Sequence, residues 1–295
     1  MITETRDKIA ALPHRPDSTT STSIGTSTSI PATTPIQVLP PHFVDVTPLA
    51  VEVRNRVRKY TQNHSLKLIG ILADVGPFRR DSELYSDRIS QCCGEDYINY
   101  ELWRCAADSP TRVKDIILKA NEDPDVDGIL VFYPIFPTAL KGPYKNRLSG
   151  VYYKTHDSHF RDLVAQDKDV EGLRGTRWYH NPRQKTKWTD SCQTVLPCTA
   201  RSVQAILERY HSWENQTSSW EGQVVSIVNR SEIIGRPLAA MLAEKGATVY
   251  SIDERTVIKF LPYGERLQRC TNTLQDCLAQ SHIVVTGVPH EDFQI

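Results

Sequence analysis

Short apolar runs alternate with amphipathic stretches along the first half of the chain. Residues 66–72 (LKLIGIL) and 127–132 (DGILVF) are apolar and flanked by turn-forming residues, which predicts two buried strands. Helical patterns of charged and apolar positions cover residues 51–60, 83–93 and 112–121. Strands that alternate with helices favour a mainly parallel sheet covered by helices, so residues 43–180 are predicted to form an α/β domain.

The second half repeats this alternation with clearer boundaries. Two helices are predicted, one capped by Thr199 and one running from a first turn with Pro237 to Gly246. The first helix has an apolar face spaced i, i+3, i+4 and i+7, at Val203, Ile206, Leu207 and Tyr210. Apolar strands are predicted at 224–228, 247–252 and 282–288. This order is typical of a dinucleotide-binding sheet, so residues 181–295 are predicted to form a Rossmann-type domain.

Two polar stretches delimit these domains. Residues 13–40 are rich in serine, threonine and proline, and they contain too few apolar side chains to offset the entropy lost on ordering. Residues 1–42 are therefore expected to be a disordered leader, with a regulatory phosphorylation tail as the alternative. A second polar stretch, 172–197, separates the two halves, and the domain boundary is placed within it at residue 180.

Composition narrows the class of protein. Lysine plus arginine equals aspartate plus glutamate at 35 each, so net charge does not favour nucleic acid or an anionic membrane as a partner. The longest apolar run, residues 128–137, is too short to span a bilayer, and the acidic N-terminus does not resemble a secretory signal. The 7 cysteines are scattered without a C-x-x-C pair, which favours reduced thiols in the cytosol and indicates no metal site. A soluble cytoplasmic protein is expected.

A candidate dinucleotide site follows the strand at 224–228. A tight turn there would let a pyrophosphate reach the backbone N–H groups at the start of a helix, where the helix dipole favours anions. Only Gly235 remains of the usual glycines, so a purely structural turn explains this feature equally well. Asp253 ends the next strand, where an acid accepts hydrogen bonds from the adenosine ribose and repels the 2′-phosphate of NADP. The alternative for Asp253 is an exposed residue that opens a loop.

Residues 228–253 (VNRSEIIGRPLAAMLAEKGATVYSID) resemble the cofactor segment of the methylenetetrahydrofolate dehydrogenase family, whose common form reads VGRSxIVGxP. Asn229 together with Asp253 resembles the fungal NAD-dependent branch. Other segments resemble further family motifs in the same order: 126–137 (VDGILVFYPIFP), 168–173 (KDVEGL), 196–199 (LPCT) and 283–289 (IVVTGVP). The resemblance covers about residues 43–295.

This resemblance implies an NAD-dependent oxidation of 5,10-methylenetetrahydrofolate to 5,10-methenyltetrahydrofolate by hydride transfer. Alignment of donor and acceptor then provides most of the catalysis, and no general base is required. It assigns Tyr85 to positioning the substrate and Glu171, with Asp169 as a second candidate, to hydrogen bonds with the pterin; Tyr133 and Pro134 line the cleft. The residues implied to hold NAD are Thr199, Arg230, Ser231, Ile234, Gly235 and Asp253, with Gly287 and Val288 beside the nicotinamide. Without the resemblance, Tyr85 is also an ordinary helix residue and Glu171 a solvated loop acid.

The chain departs from the family pattern where relatives carry a lysine four residues after the tyrosine. Ile89 occupies that position, and no lysine lies between residues 68 and 113. Because this lysine is a natural participant in the hydrolysis of methenyltetrahydrofolate, we expect a dehydrogenase without cyclohydrolase activity. The aromatic pair Phe132–Tyr133 also replaces a common glutamine, and Ala200 replaces a proline.

The chain ends at Ile295, before the last strand, proline-rich loop and helix of the family pattern. We therefore expect a dinucleotide domain truncated at its C-terminus, and the family implies a homodimer. Two alternatives remain open. The chain could be a non-catalytic truncated family member that acts as a binding partner, or a two-domain dehydrogenase for another small substrate such as shikimate.

Overall fold

The computed structural model describes residues 43–73, 79–106, 109–136, 144–145, 152–153, 155–174, 195–211, 219–264 and 267–288. The predicted leader at 1–42 and the predicted domain boundary at residue 180 lie outside these ranges. Within them, the first half contains a parallel three-stranded sheet and the second half a five-stranded sheet. No helix in these ranges has the length and apolarity that crossing a membrane requires.

The first half folds around its first strand. Its elements are α1 (Thr47–Thr61), β1 (Leu66–Ala73), α2 (Arg79–Glu95), β2 (Ile98–Cys105), α3 (Pro110–Glu122), β3 (Gly128–Val131), β4 (Tyr144–Lys145), β5 (Tyr152–Tyr153) and α4 (His156–Leu163). β1 lies between β2 and β3 and runs parallel to both. α3 supplies Ile117 to the buried cluster that contains Ile69 and Ile129. The predicted strands and helices are confirmed, and β2 is an addition.

The second half forms the dinucleotide-type sheet that the sequence predicts. Its elements are α5 (Cys198–Tyr210), β6 (Val224–Val228), α6 (Gly235–Glu244), β7 (Thr248–Asp253), β8 (Thr256–Phe260), a 3-10 helix (Pro262–Gly264), β9 (Leu267–Cys270), α7 (Leu274–Ala279) and β10 (Ile283–Thr286). The strand order is β10-β6-β7-β8-β9, in which β10, β6 and β7 are parallel. β8 and β9 extend the sheet in antiparallel fashion, which the sequence analysis did not predict. Leu238 and Leu242 of α6 are fully buried against this sheet.

The start of α5 differs from its prediction. The helix begins at Cys198 after the N-cap Pro197, no side chain caps it, and Thr199 is exposed in the first turn. The prediction of Thr199 as the cap is wrong because Pro197, whose ring restricts φ, already marks the turn into the helix. The predicted apolar face is only half-buried, whereas Ala200 and Gln204 are the buried residues of the helix. The end of α6 is as predicted, since Gly246 follows it at a φ of 109°.

The segment 168–174 joins the two halves. The Ile129 N–H donates to the Lys168 carbonyl at 2.7 Å, which holds the segment beside β3. Gly172 adopts a φ of 65°, and a Cβ at this position would collide with the backbone of Val195 and Leu196. The Cys198 N–H donates to the Glu171 carbonyl at 3.3 Å. Close backbone packing at Gly172 therefore connects this segment to the start of α5.

This packing predicts a stability difference between two glycines that share a left-handed conformation. Gly172→Ala meets both an unfavourable φ and a backbone collision, whereas Gly222→Ala, at a φ of 78°, faces open space. We expect Gly222→Ala to lower the free energy of unfolding by about 1 kcal/mol and Gly172→Ala to lower it by at least about 2 kcal/mol. Urea unfolding of both variants measures the difference. Equal losses would show that the approach to Val195 is unimportant.

Candidate active site

Lys168 and Asp169 shape the loop that carries Glu171. The Lys168 ammonium donates to the carbonyls of Ala120, Asn121 and Asp123 at 3.2, 2.8 and 2.6 Å, which caps the end of α3. The buried Asp169 carboxylate accepts hydrogen bonds from the backbone N–H groups of Glu171, Gly172 and Arg174, at 3.1, 3.0 and 2.8 Å. Because its oxygens are engaged by the loop itself, this geometry favours a positioning role for Asp169 over contact with substrate.

Glu171 presents a carboxyl group whose ionisation is disfavoured. Burial raises the pKa of Glu171 to about 7, although a hydrogen bond from the Val131 N–H lowers it and the charge of Asp169 raises it further. The bond from Val131 is long, at 3.4 Å. A side chain that is half-buried, weakly bonded and about half protonated near pH 7 can donate or accept a hydrogen bond. Glu171 therefore remains the stronger candidate for contact with substrate.

Tyr85 and Ile89 lie one helical turn apart on α2. The Tyr85 ring meets Phe132 edge-on, with 5.9 Å between centroids. Tyr85 is 54% exposed, yet desolvation raises the pKa of its hydroxyl, and the charges of Cys198 and Glu171 raise it further. Ile89 packs against the buried cluster of Leu72, Leu130 and Phe132. This helix thus presents one aromatic and one aliphatic side chain next to the strand β3 and its following loop.

Tyr133 and Pro134 follow directly after β3, and their place in a cleft wall stays a prediction. The peptide bond between them is cis, and Pro134 is exposed. The Arg161 guanidinium lies 5.8 Å from the centre of the Tyr133 ring. The Tyr133 hydroxyl is buried without a hydrogen-bond partner among the described residues, and desolvation raises its pKa well above the ordinary value. This buried hydroxyl therefore has unused hydrogen-bonding capacity.

The turn between β6 and α6 is closed by its own side chains. Ser231 Oγ accepts hydrogen bonds from the N–H groups of Ile234 and Gly235, both at 3.1 Å. A Cβ at Gly235 would collide with the Asn229 carbonyl, so this position requires glycine. Ser231 thus satisfies two backbone amides of the turn, and the binding of a pyrophosphate at this turn stays a prediction. Ser231 and Gly235 shape the turn, and Ile234 is its half-buried last residue.

Arg230 is also engaged by the protein. Its buried guanidinium donates to the Ser251 hydroxyl and carbonyl at 3.2 and 2.5 Å, and to the Thr256 hydroxyl and carbonyl at 2.8 and 2.6 Å. Ser251 and Thr256 stand on the neighbouring strands β7 and β8. The arginine reaches Asp253 only at 3.9 Å. These contacts favour a role for Arg230 in holding the hairpin that carries Asp253, instead of direct contact with a dinucleotide.

The remaining cofactor candidates converge at the carboxyl ends of the parallel strands. The Asp253 side chain is 53% exposed at the end of β7. Asn229, at a φ of 94°, follows β6 and donates from its side-chain amide to the Gly287 carbonyl beyond β10. Val288 is half-buried against the cluster that contains Val228 and Tyr250. Open α/β sheets bind ligands outside the carboxyl ends of their strands, at the point where the strand order reverses. Thr199 lies in the first turn of α5, where its hydroxyl is 3.9 Å from the Cys198 thiol.

The structure adds residues that the sequence analysis did not include among the site residues. Asn229 stands where the family motif has glycine, and asparagine tolerates a positive φ better than most residues. The sequence could therefore have predicted a left-handed backbone at this position. The Cys198 thiol lies near Glu171, since burial and then the charge of Glu171 raise its pKa. Arg161 pairs with Glu232 at 2.9 Å. The sequence contains no signal for this pair, which is separated by 71 positions.

Comparisons with known proteins agree with this architecture. Residues 44–148 match the catalytic domain of the tetrahydrofolate dehydrogenase/cyclohydrolase family, and residues 197–262 match its NAD(P)-binding domain. The chain is 32% identical to the NAD⁺-dependent methylenetetrahydrofolate dehydrogenase of Saccharomyces cerevisiae over 263 residues, which cover 82% of this chain and 75% of the yeast protein. It is 33% identical to the enzyme of the same name from Dictyostelium discoideum, covering 85% of this chain and 77% of that protein.

Solved structures show the same arrangement of elements. The NAD-dependent 5,10-methylenetetrahydrofolate dehydrogenase of Saccharomyces cerevisiae superposes with a TM-score of 0.65 at 28% identity, covering 85% of this chain and 78% of the yeast chain. A dehydrogenase-cyclohydrolase from Trypanosoma brucei shares the fold alone, with a TM-score of 0.60 at 17% identity over 84% of this chain and 71% of that chain. The sequence motifs, the two sheets and these matches together establish that the chain belongs to the tetrahydrofolate dehydrogenase/cyclohydrolase family.

Proposed function

We propose that the chain oxidises 5,10-methylenetetrahydrofolate to 5,10-methenyltetrahydrofolate with NAD⁺ as the hydride acceptor. The observation that carries this proposal is the junction between the two halves of the site. The Glu171 carbonyl accepts from the Cys198 N–H at the start of α5, and the charges of Cys198 and Glu171 both raise the pKa of Tyr85 on α2. Arg161 of α4 bonds to Glu232 in the turn after β6. Contacts between the two halves therefore hold both the folate wall (Tyr85, Tyr133 and Glu171) and the dinucleotide turn (residues 229–235).

The residues of this chain fit NAD better than NADP. The exposed Asp253 carboxylate follows β7, where it can accept hydrogen bonds from both ribose hydroxyls and repels a 2′-phosphate. Arg230 is committed to Ser251 and Thr256, so its charge is not free to receive that phosphate. Arg255 is the exposed cation nearest in sequence, and it limits the size of the preference.

The folate side of the cleft positions the substrate and does not need to move a proton during oxidation. Glu171 holds the polar edge of the pterin, because a carboxyl group with a pKa of about 7 can donate or accept hydrogen bonds at ring nitrogens. Tyr85, together with Phe132, offers an aromatic surface for stacking. Tyr133 and Pro134 form the adjoining wall. Nitrogen lone pairs of the substrate stabilise the cation that forms, so catalysis depends on alignment.

The family resemblance and both domain matches favour this substrate over that of a shikimate-type dehydrogenase. A non-catalytic role is the second candidate, and the absence of turnover with intact NAD binding would support it. A homodimer in the cytoplasm stays a prediction from the family and from composition.

The raised pKa of Glu171 predicts a pH-dependent stability. The folded-state pKa of about 7 exceeds the ordinary value of 4.5, so the folded state binds the extra proton between these values and loses stability as pH rises through them. Glu171→Gln cannot titrate and so does not lose this stability. The free energy of unfolding of the variant, minus that of the unmodified chain, should therefore increase by on the order of 2 kcal/mol from about pH 5 to pH 8. Urea unfolding at both pH values measures it.

Glu208→Gln is the matched control for that experiment. The pKa of Glu208 is lowered: desolvation raises it, but the hydrogen bond and charge of Lys245 outweigh burial. Glu208 is therefore ionised in both states above about pH 5, and its variant should show a constant difference from the unmodified chain. A constant difference for Glu171→Gln as well would contradict the assignment of a raised pKa.

Cofactor choice tests the proposed reaction directly. With 5,10-methylenetetrahydrofolate, we expect reduction of NAD⁺ at a kcat/KM at least about tenfold above that for NADP⁺, since about 1.4 kcal/mol of repulsion produces that ratio. Asp253→Ser should lower this ratio, because it removes the hydrogen bonds to the ribose of NAD⁺ and the repulsion of the 2′-phosphate of NADP⁺. Initial rates of reduced cofactor formation measure both. Equal use of the two cofactors by the unmodified chain would overturn the role of Asp253.

Ile89 predicts the absence of a second reaction. Hydrolysis of methenyltetrahydrofolate requires proton transfer near the bridging carbon, and the Ile89 side chain cannot exchange protons. The neighbouring Arg88 donates to Gln91 at 2.7 Å on the exposed surface, so it does not replace a lysine at this position. We expect methenyltetrahydrofolate to decay at the rate measured in buffer alone. Clearly faster decay with the protein would mean that another residue supports hydrolysis.

A further inference from the structure

An ion pair crosses from the folate half of the chain to the dinucleotide turn. Arg161 on α4 donates from Nη2 to Glu232 Oε2 at 2.9 Å, and the two side chains are 7% and 25% exposed. Ser158 Oγ lies 2.9 Å from the same Nη2 and donates to Glu232 at 3.2 Å. This cluster, Ser158–Arg161–Glu232, is a three-residue contact between segments that are far apart in sequence.

At one end, the cluster acts on the turn that precedes α6. Glu232 lies three positions before Gly235. Ser231 binds the Ile234 and Gly235 amides, and the Ser231 carbonyl accepts from the Arg236 N–H at 2.9 Å. Because these bonds tie the turn together, a shift at Glu232 would move the turn as a unit.

At its other end, the cluster touches the wall of the folate cleft. The Arg161 guanidinium faces the Tyr133 ring at 5.8 Å, a distance at which a cation is attracted to an aromatic face. The Arg161 Nη1 atom is buried without a hydrogen-bond partner among the described residues. Tyr133, Arg161 and Glu232 thus form a continuous row of contacts from one half of the cleft to the other.

The structure favours the ionised form of Glu232. Desolvation opposes ionisation of Glu232, but the charge of Arg161 and the hydrogen bonds from Ser158 and Arg161 outweigh it and lower the pKa of Glu232. A buried ion pair adds little net stability, because desolvation offsets the attraction, and its best attested role is to select one geometry. This balance favours a role in alignment over a role in holding the fold.

We propose that Arg161 and Glu232 are positioning residues for hydride transfer, which fix the distance between the folate wall and the dinucleotide turn. The inference rests on the proposed function. Hydride transfer needs the two reacting carbons in near contact, and a displacement of about 1 Å by a distant substitution lowers a rate by roughly a hundredfold. Loss of the pair therefore acts on the rate of transfer more than on the binding of either ligand.

The experiment compares Glu232→Gln, Ser158→Ala and Glu208→Gln with the unmodified chain. Glu232→Gln should lower kcat by at least about tenfold and change both KM values, and the calorimetric Kd for NAD⁺, by less than about threefold. Arg161→Met combined with Glu232→Gln should be no slower than Arg161→Met alone, because the two residues act together. Glu208 forms a 2.8 Å ion pair with Lys245, and its variant should retain the unmodified kcat.

Each other outcome counts against the proposal. An unchanged kcat in Glu232→Gln, or a fall in kcat accompanied by an equal fold-loss of NAD⁺ affinity, would leave the pair a structural contact. If Glu232→Gln does not fold, Ser158→Ala removes one hydrogen bond to Glu232 and should lower kcat by about threefold at constant KM; no change in a folded Ser158→Ala overturns the inference. Absence of turnover by the unmodified chain refutes the proposed function itself.

Discussion

The segment that carries Glu171 depends on a carboxylate turned toward its own backbone. Asp169 accepts hydrogen bonds from three backbone N–H groups of the following loop. Lys168 binds the start of that loop to the backbone carbonyls at the end of α3. With both ends of the loop fixed, Gly172 can pack directly on the backbone that enters α5. The orientation of Glu171 and the junction between the two halves therefore follow from interactions that involve no ligand.

The dinucleotide side follows the same principle. Arg230 donates hydrogen bonds to the neighbouring strands, and Ser231 accepts hydrogen bonds from the turn. These two residues of the family motif therefore fix the shape of the site. Asn229 stands where the common family motif has glycine, adopts a φ of 94°, and donates from its side chain to the loop after β10. Asp253 remains as an exposed acid on a fixed support, which is the arrangement that selective recognition of a ribose requires.

Continuous apolar runs made most of the fold predictable. β1, β6 and β7 lie inside their sheets, and β3 is buried at every position although it borders its sheet. Strands that are buried in this way read as largely apolar segments. β2 escaped prediction because it lies at an edge of its sheet and is only half-buried along its length. β8 and β9 extend the second sheet outward, where polar residues such as Lys259 and Gln268 are tolerated and weaken the pattern.

The sequence by itself determined the order of strands and helices, the family motifs and the chemistry available at Tyr85, Glu171 and Asp253. These properties are local, because they depend on side-chain type and on periodicity within a few residues. Only the tertiary structure decided that Asp169, Arg230 and Ser231 bond to the protein, and that Arg161 meets Glu232 beside Tyr133. Hydrogen bonds and ion pairs depend on distances of a few ångströms between distant segments, and no spacing along the chain specifies them.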